Sequence, residues 1–173
     1  ADMLIRRCLK DAGDPELMHY EECRSLYREK FDADPLYKVV PYDGIMETLK
    51  ELKNRGMKLA VCSNKPHVAA VKVIAQMFDG YFDLVIGQSD EIRRKPAPDG
   101  PLKAAQEFGV TPSECMYVGD TKTDMETGNA AKMHTVGVLW GFRDRWELES
   151  NGAEVIAEKP QDLLKICEEW KND

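Results

Sequence analysis

The chain has 173 residues, enough for one domain with a modest appendage, and 43% hydrophobic and 32% charged residues give the balance of a folded globular protein rather than a disordered one. A formal net charge of -7 argues against a general nucleic-acid surface, which needs a basic face, and no apolar run approaches the roughly 20 residues that span a bilayer. The five cysteines (Cys8, Cys23, Cys62, Cys115, Cys167) form no C-x-x-C pair, which fits reduced thiols in a cytoplasm, and His19, His67 and His134 are too scattered for a three-ligand zinc site.

Residues 1 to about 36 hold two amphipathic helical stretches, split near Gly13-Asp14-Pro15, and no strand signal. They read as a helical accessory element. The chain opens Ala-Asp-Met without an initiator Met or a secretory pattern, so a segment upstream of residue 1 is expected. From Asp43 onward helix and strand alternate. Asp43 to Gly56 carries Ile45, Leu49 and Leu52 at helical spacing, with Gly56 as a stop. Lys58 to Asn64 is a short apolar run and reads as a buried strand, and Pro66 suits the first position of a helix reaching about Phe78. Phe82 to Gly87 is a second strand, followed by a loop with Arg93, Arg94, Lys95, Pro96 and Pro98. A helix over Asp99 to Phe108, a strand over Cys115 to Gly119 and a helix from about Asp124 to Met133 follow. His134 to Trp140 is a fourth strand, Val155 and Ile156 mark a short fifth, and Pro160 to Trp170 closes the chain as a helix. The expected fold class is α/β: a Rossmann-like parallel sheet with helices on both faces.

In such sheets ligands bind at the C-terminal ends of the strands, and three strand ends here carry polar groups. Ser63-Asn64-Lys65-Pro66 closes one strand and opens a helix; a hydroxyl and free N–H groups there suit an anion, although Ser63 or Asn64 could equally be a helix cap. Lys95 lies in a loop stiffened by two prolines, where a fixed ammonium can neutralise a transferring phosphoryl group. Arg93 and Arg94 read as solvated. In Gly119-Asp120-Thr121-Lys122-Thr123-Asp124 the first Asp projects from a strand tip, and Thr123 with Glu126 matches a capping box that starts the next helix at Asp124. Two carboxylates at one place suit Mg²⁺, which takes few protein ligands beside phosphate oxygens. Asp124 could instead merely complement the helix dipole, whereas Asp120, directly after an apolar strand, needs a partner.

The order and spacing of these segments resemble the haloacid dehalogenase superfamily: Ser63 in its second motif, Lys95 in its third, Asp120 and Asp124 in its fourth. The closer similarity is to phosphoglycolate phosphatase-like members. It rests on Pro41-Tyr42-Asp43-Gly44-Ile45, Ala60 to Pro66, Lys95-Pro96-Ala97-Pro98, Gly119-Asp120 and Gly137 to Phe142, and spans about residues 39 to 165. The resemblance implies Mg²⁺-dependent hydrolysis of a small phosphorylated metabolite through an aspartyl-phosphate. Asp120 and Asp124 would serve the metal, Ser63 and Asn64 the phosphate oxygens, and Lys95 the developing charge. Residues 1–38 would be the end of a helical cap and residues 39–173 the core.

The family's first motif, Asp-x-Asp-Gly-Thr, is absent. Its nucleophile is therefore expected upstream, on a strand lying between those that correspond to Lys58–Ser63 and Cys115–Gly119. A gap between these two is expected, and the 173 residues alone are expected to be inactive and poorly stable. Alternatives are a pyrophosphatase of the same superfamily and a non-catalytic interaction protein on a decayed phosphatase core. A dehalogenase is disfavoured by Gly119-Asp120, and a phosphosugar mutase by Gly-Asp in place of Glu-Asp.

Overall fold

The structure, a computed structural model, describes residues 2–34, 36 and 39–170. It divides into two compact units, Ala1–Val39 and Val40–Asp173. The expected boundary at residue 38 lies outside the described residues.

The first unit is a pair of helices, α1 (Asp2–Asp11) and α2 (Tyr20–Ala33). Ile5 and Leu9, one turn apart on α1, are its buried apolar residues. Asp14 organises the turn between the helices by accepting the Met18 and His19 backbone N–H groups, both at 2.9 Å. Those bonds hold its carboxyl below the ordinary value. The Arg6 guanidinium sits 4.3 Å from the centre of the Tyr20 ring, joining the two helices by a cation–π contact.

The second unit alternates helix and strand: α3 (Ile45–Asn54), β1 (Ala60–Pro66), α4 (His67–Met77), β2 (Leu84–Gln88), α5 (Asp99–Phe108), β3 (Met116–Gly119), α6 (Lys122–Ala130), β4 (His134–Val138), α7 (Arg145–Ser150), β5 (Val155–Ala157) and α8 (Asp162–Trp170). Every strand pairing is parallel. The Rossmann-like α/β reading holds.

The strands form two groups. β1 pairs with β2 (Val61 beside Val85, Cys62 beside Ile86), and β3, β4 and β5 pair in that order. β1 and β3 do not pair. Between them lies a cavity of about 1040 Å³, lined by Val61 and Cys62 on one side and Tyr117 and Val118 on the other. The expected gap is thus observed. Flanking helices hold the two groups together. Ala105 of α5 packs with Tyr117, Ala131 and Met133, and Cys62 rests against that cluster. Arg55, after α3, donates to the Leu164 carbonyl and to Glu168 on α8.

Local details differ from the sequence reading where side chains override patterns. β1 runs through Pro66, so Pro66 caps α4 from outside instead of opening it. The ladder slips between Cys62 and Pro66, and there β1 crosses Gly87 of β2 closely. A Cβ on Gly87 would stand 2.5 Å from the His67 Cα and 2.8 Å from the Lys65 carbonyl oxygen, so only glycine fits. The short helix α7 was not foreseen; Asp144 caps it by accepting the Glu147 N–H at 2.9 Å.

Candidate active site

The β3–α6 turn is built around Asp124. The capping box is Thr121 with Asp124, not Thr123 with Glu126, so α6 begins two residues earlier than expected. The Asp124 Oδ2 accepts the Thr121 backbone N–H at 3.1 Å and its hydroxyl at 2.6 Å. The other oxygen, Oδ1, accepts the Lys95 ammonium at 2.6 Å. Lys95 is 20% and Asp124 9% exposed, so this ion pair is largely shielded from water, where charge-assisted hydrogen bonds are strong. Gly119 makes the turn possible. A Cβ there would lie 3.0 Å from the Asp124 Oδ2 and closer still to its Cβ and Cγ.

Asp120, half-buried at the tip of β3, finds its partner across the sheet. Its Oδ2 accepts the backbone N–H of Phe142, in the loop after β4, at 2.9 Å. Gly141 leaves the room for this, because a Cβ there would collide with the Asp120 side chain. The second carboxylate oxygen of Asp120 takes no hydrogen bond from the described residues. Mg²⁺ takes one or two carboxylates and completes its shell with water and phosphate oxygens. The open oxygen of Asp120 fits such an ion, while both oxygens of Asp124 are already engaged. Among the described residues no three His, Cys, Asp or Glu side chains gather into a metal cage.

Asn64 reaches Lys95 from the other side. Its Oδ1 accepts the Lys95 backbone N–H at 2.7 Å, and its Nδ2 donates to the Lys95 carbonyl at 3.4 Å. The Ser63 hydroxyl oxygen accepts the Lys65 N–H at 3.1 Å. Neither residue caps α4, whose cap is Pro66 without a side-chain bond; both sit three or more residues before that helix. Ser63, Asn64 and Lys95 share a small pocket, while Lys95, Asp120 and Asp124 line the large cavity, so Lys95 belongs to both. Of the loop's arginines, Arg93 is engaged by Asp99 in a two-point ion pair at 2.8 and 2.7 Å, which lowers the Asp99 carboxyl to about 2. Cys62 lies beside the site with its thiol pushed up to about 11 by burial, so it stays protonated.

Four groups were not read from the sequence as part of this arrangement: Thr121, Gly141, the Phe142 N–H and the Asn64 side chain. Thr121-x-x-Asp124 is itself a capping pattern and was available as a signal. The others depend on loops distant in sequence meeting in space.

The haloacid dehalogenase-like hydrolase family model matches residues 4–138. A phosphoglycolate phosphatase of Aquifex aeolicus is 33% identical over 166 residues, covering 95% of this chain and 74% of that protein. Among solved structures, one described as a phosphoglycolate phosphatase from Lactobacillus delbrueckii subsp. bulgaricus superposes with a TM-score of 0.71 at 38% identity. That match covers 73% of this chain and 53% of the other, so the present chain spans about half of that relative. A haloacid dehalogenase-like family protein from Streptococcus pneumoniae shares the fold, with a TM-score of 0.78 at 24% identity over 86% of this chain and 70% of that one.

Proposed function

The chain belongs to the haloacid dehalogenase-like hydrolase family, and from that premise we propose that the complete protein is a Mg²⁺-dependent phosphatase of a small phosphomonoester, phosphoglycolate first. The observation that carries the reading is Lys95, held between Asn64 and Asp124 on the wall of a cavity that Asp120 also lines.

In this reading the Lys95 ammonium neutralises charge on the phosphoryl group as it transfers, an electrostatic role strengthened by its low exposure. The Ser63 hydroxyl and the Asn64 backbone N–H bind phosphate oxygens. Asp120 would hold the metal through its open oxygen, with Asp124, whose two oxygens Lys95 and Thr121 engage, behind it through water. Bound there, Mg²⁺ would supply Lewis-acid polarisation of a phosphate oxygen. The attack falls to an aspartate on a strand upstream of residue 1 that fills the cleft between β1 and β3. Its carboxylate oxygen forms a bond to phosphorus as the ester oxygen leaves, and water then hydrolyses the aspartyl-phosphate. The two open strand edges facing the 1040 Å³ cavity support such a strand. The first unit is read as the C-terminal part of a helical cap.

The test is phosphate release by the complete protein from phosphoglycolate, pyrophosphate and a panel of small phosphomonoesters, with Mg²⁺ and with a chelator. Metal-dependent turnover, best on a small phosphomonoester, is expected. A complete protein that is folded and releases no phosphate from any of them overturns the reading.

A further inference from the structure

We propose that Asn64 acts as a positioning residue: its side chain fixes the backbone of Lys95 and thereby aims the ammonium across the site. The inference deepens the phosphatase reading and rests on it for its kinetic part. A primary amide offers one acceptor and one donor group, and Asn64 turns both to the same residue, Oδ1 to the Lys95 N–H at 2.7 Å and Nδ2 to its carbonyl at 3.4 Å. The first bond is short and the second long, so the N–H side of the clamp carries most of the constraint. Together they set the directions of both peptide groups that flank the Lys95 Cα. The side chain then leaves that Cα along a fixed vector and ends on Asp124 at 2.6 Å. Lys95 is therefore tied at the backbone by the end of β1 and at the ammonium by the start of α6.

A phosphate-binding role for the same side chain is the competing idea. Against it, Oδ1 and one N–H of the amide are turned to Lys95, which leaves a single N–H for an anion and gives the lysine the larger share of the side chain. The Asn64 backbone N–H is not involved in the clamp and is unaffected by this argument. A lysine whose Cα is free to swing has many rotamers, most of which point the charge away from one chosen spot. Misplacing a catalytic group by about 1 Å can cost about 10²-fold in rate.

The test is a double-mutant cycle in the complete protein with Asn64→Leu, similar in shape but without the amide, Lys95→Ala, and both together. Asn64→Leu is expected to lower kcat by about 10- to 100-fold with KM within about twofold, as for a lost transition-state contact. In the Lys95→Ala background the same change should lower kcat by less than about twofold, because no ammonium remains to be aimed. Losses that multiply in the double variant, or a raised KM with kcat unchanged, overturn the proposal. Backbone amide exchange, followed by NMR, reads the clamp without reference to turnover. Asn64→Leu should speed exchange at Lys95 by at least about tenfold while β1 and β2 stay protected; unchanged exchange at Lys95 also overturns it. If the parent protein turns over no phosphoester, the phosphatase reading fails and the amide exchange alone decides the clamp.

Discussion

Gly119→Ala separates packing from catalysis at this site. The added methyl would stand 3.0 Å from the Asp124 Oδ2 and nearer to its Cβ and Cγ, where ordinary carbon contacts lie at about 3.5–4.0 Å. Asp124 cannot swing aside at no cost, because its two oxygens are held by Thr121 and Lys95. The start of α6 or the Lys95 bond must give. Overpacking of this kind costs about 1–3 kcal/mol. At roughly 2–4 °C per kcal/mol for a chain of this size, the transition should fall by about 2–12 °C. A displacement of about 1 Å at the Asp124 carboxylate should further lower kcat by about 10²-fold.

Gly128→Ala is the control. There a Cβ would meet the Thr135 Cγ2 at 2.5 Å and the Tyr117 Cβ at 2.9 Å, on the face of α6 that packs on β3 and β4. It should destabilise by a similar amount yet keep parental kcat below its melting range. Thermal unfolding and steady-state phosphate release on the complete protein decide the matter. A Gly119→Ala enzyme with kcat within about twofold of the parent would refute the view that Asp124 and Lys95 work as a fixed pair.

Asp120→Asn should abolish metal-dependent turnover while the melting temperature stays within about 2 °C, since the amide oxygen still accepts the Phe142 N–H; full turnover at saturating Mg²⁺ would remove Asp120 from the metal site. Asp83 accepts the Lys53 ammonium at 2.6 Å and the Leu59 N–H at 2.8 Å, and the lysine, then the amide, hold its carboxyl below the ordinary value. Its contribution is present above the unfolded carboxyl's value near 3.8 and lost as pH falls through the lower folded one. Asp83→Asn should therefore cost about 0.5–1 kcal/mol at pH 7, with the gap to the parent closing in acid; a gap that stays constant in urea titrations down the pH scale would contradict this. Cys62, its thiol raised to about 11 by burial, should react with iodoacetamide far more slowly at pH 8 than the exposed Cys8. Equal rates measured by peptide mass mapping would show that β1 opens freely.

Much of the fold was legible because its signals are local. The helix over Asp99 to Phe108 was read to the residue, and in the structure Gly109 closes it in the left-handed conformation. The strands announced themselves as short apolar runs. Boundaries failed where two patterns competed. Thr121–Asp124 and Thr123–Glu126 both resemble a capping box, and the choice fell to tertiary contacts: Asp124 is also the residue that Lys95 reaches, which only the folded chain reveals. Pro66 could open a helix or end a strand, and the close passage over Gly87 selected the strand. The site residues were legible as types, a hydroxyl, an amide, an ammonium and two carboxylates at strand ends. Their partners were not, because the bonds from Asn64 to Lys95 and from Asp120 to Phe142 join residues 31 and 22 positions apart.

The two unpaired strand edges bear on the site as much as on the sheet. Asn64 hangs from β1, Asp120 from β3 and Asp124 from the helix that follows β3, so the distance between the two sides of the site is the width of the cleft between those strands. In a continuous sheet that width is set by one intervening strand, with neighbours spaced at about 4.8 Å on either side. Here it is held by Ala105 of α5 against Tyr117, by Arg55 reaching α8, and by the Lys95–Asp124 bond itself. The last of these is also the contact on which the proposed chemistry depends. A strand seated in the cleft would therefore do two things at once. It would bring an attacking carboxylate to the cavity wall, and its backbone hydrogen bonds would take over the spacing of β1 and β3, so that the Lys95–Asp124 pair would serve to aim the ammonium at the phosphoryl group rather than to brace the sheet.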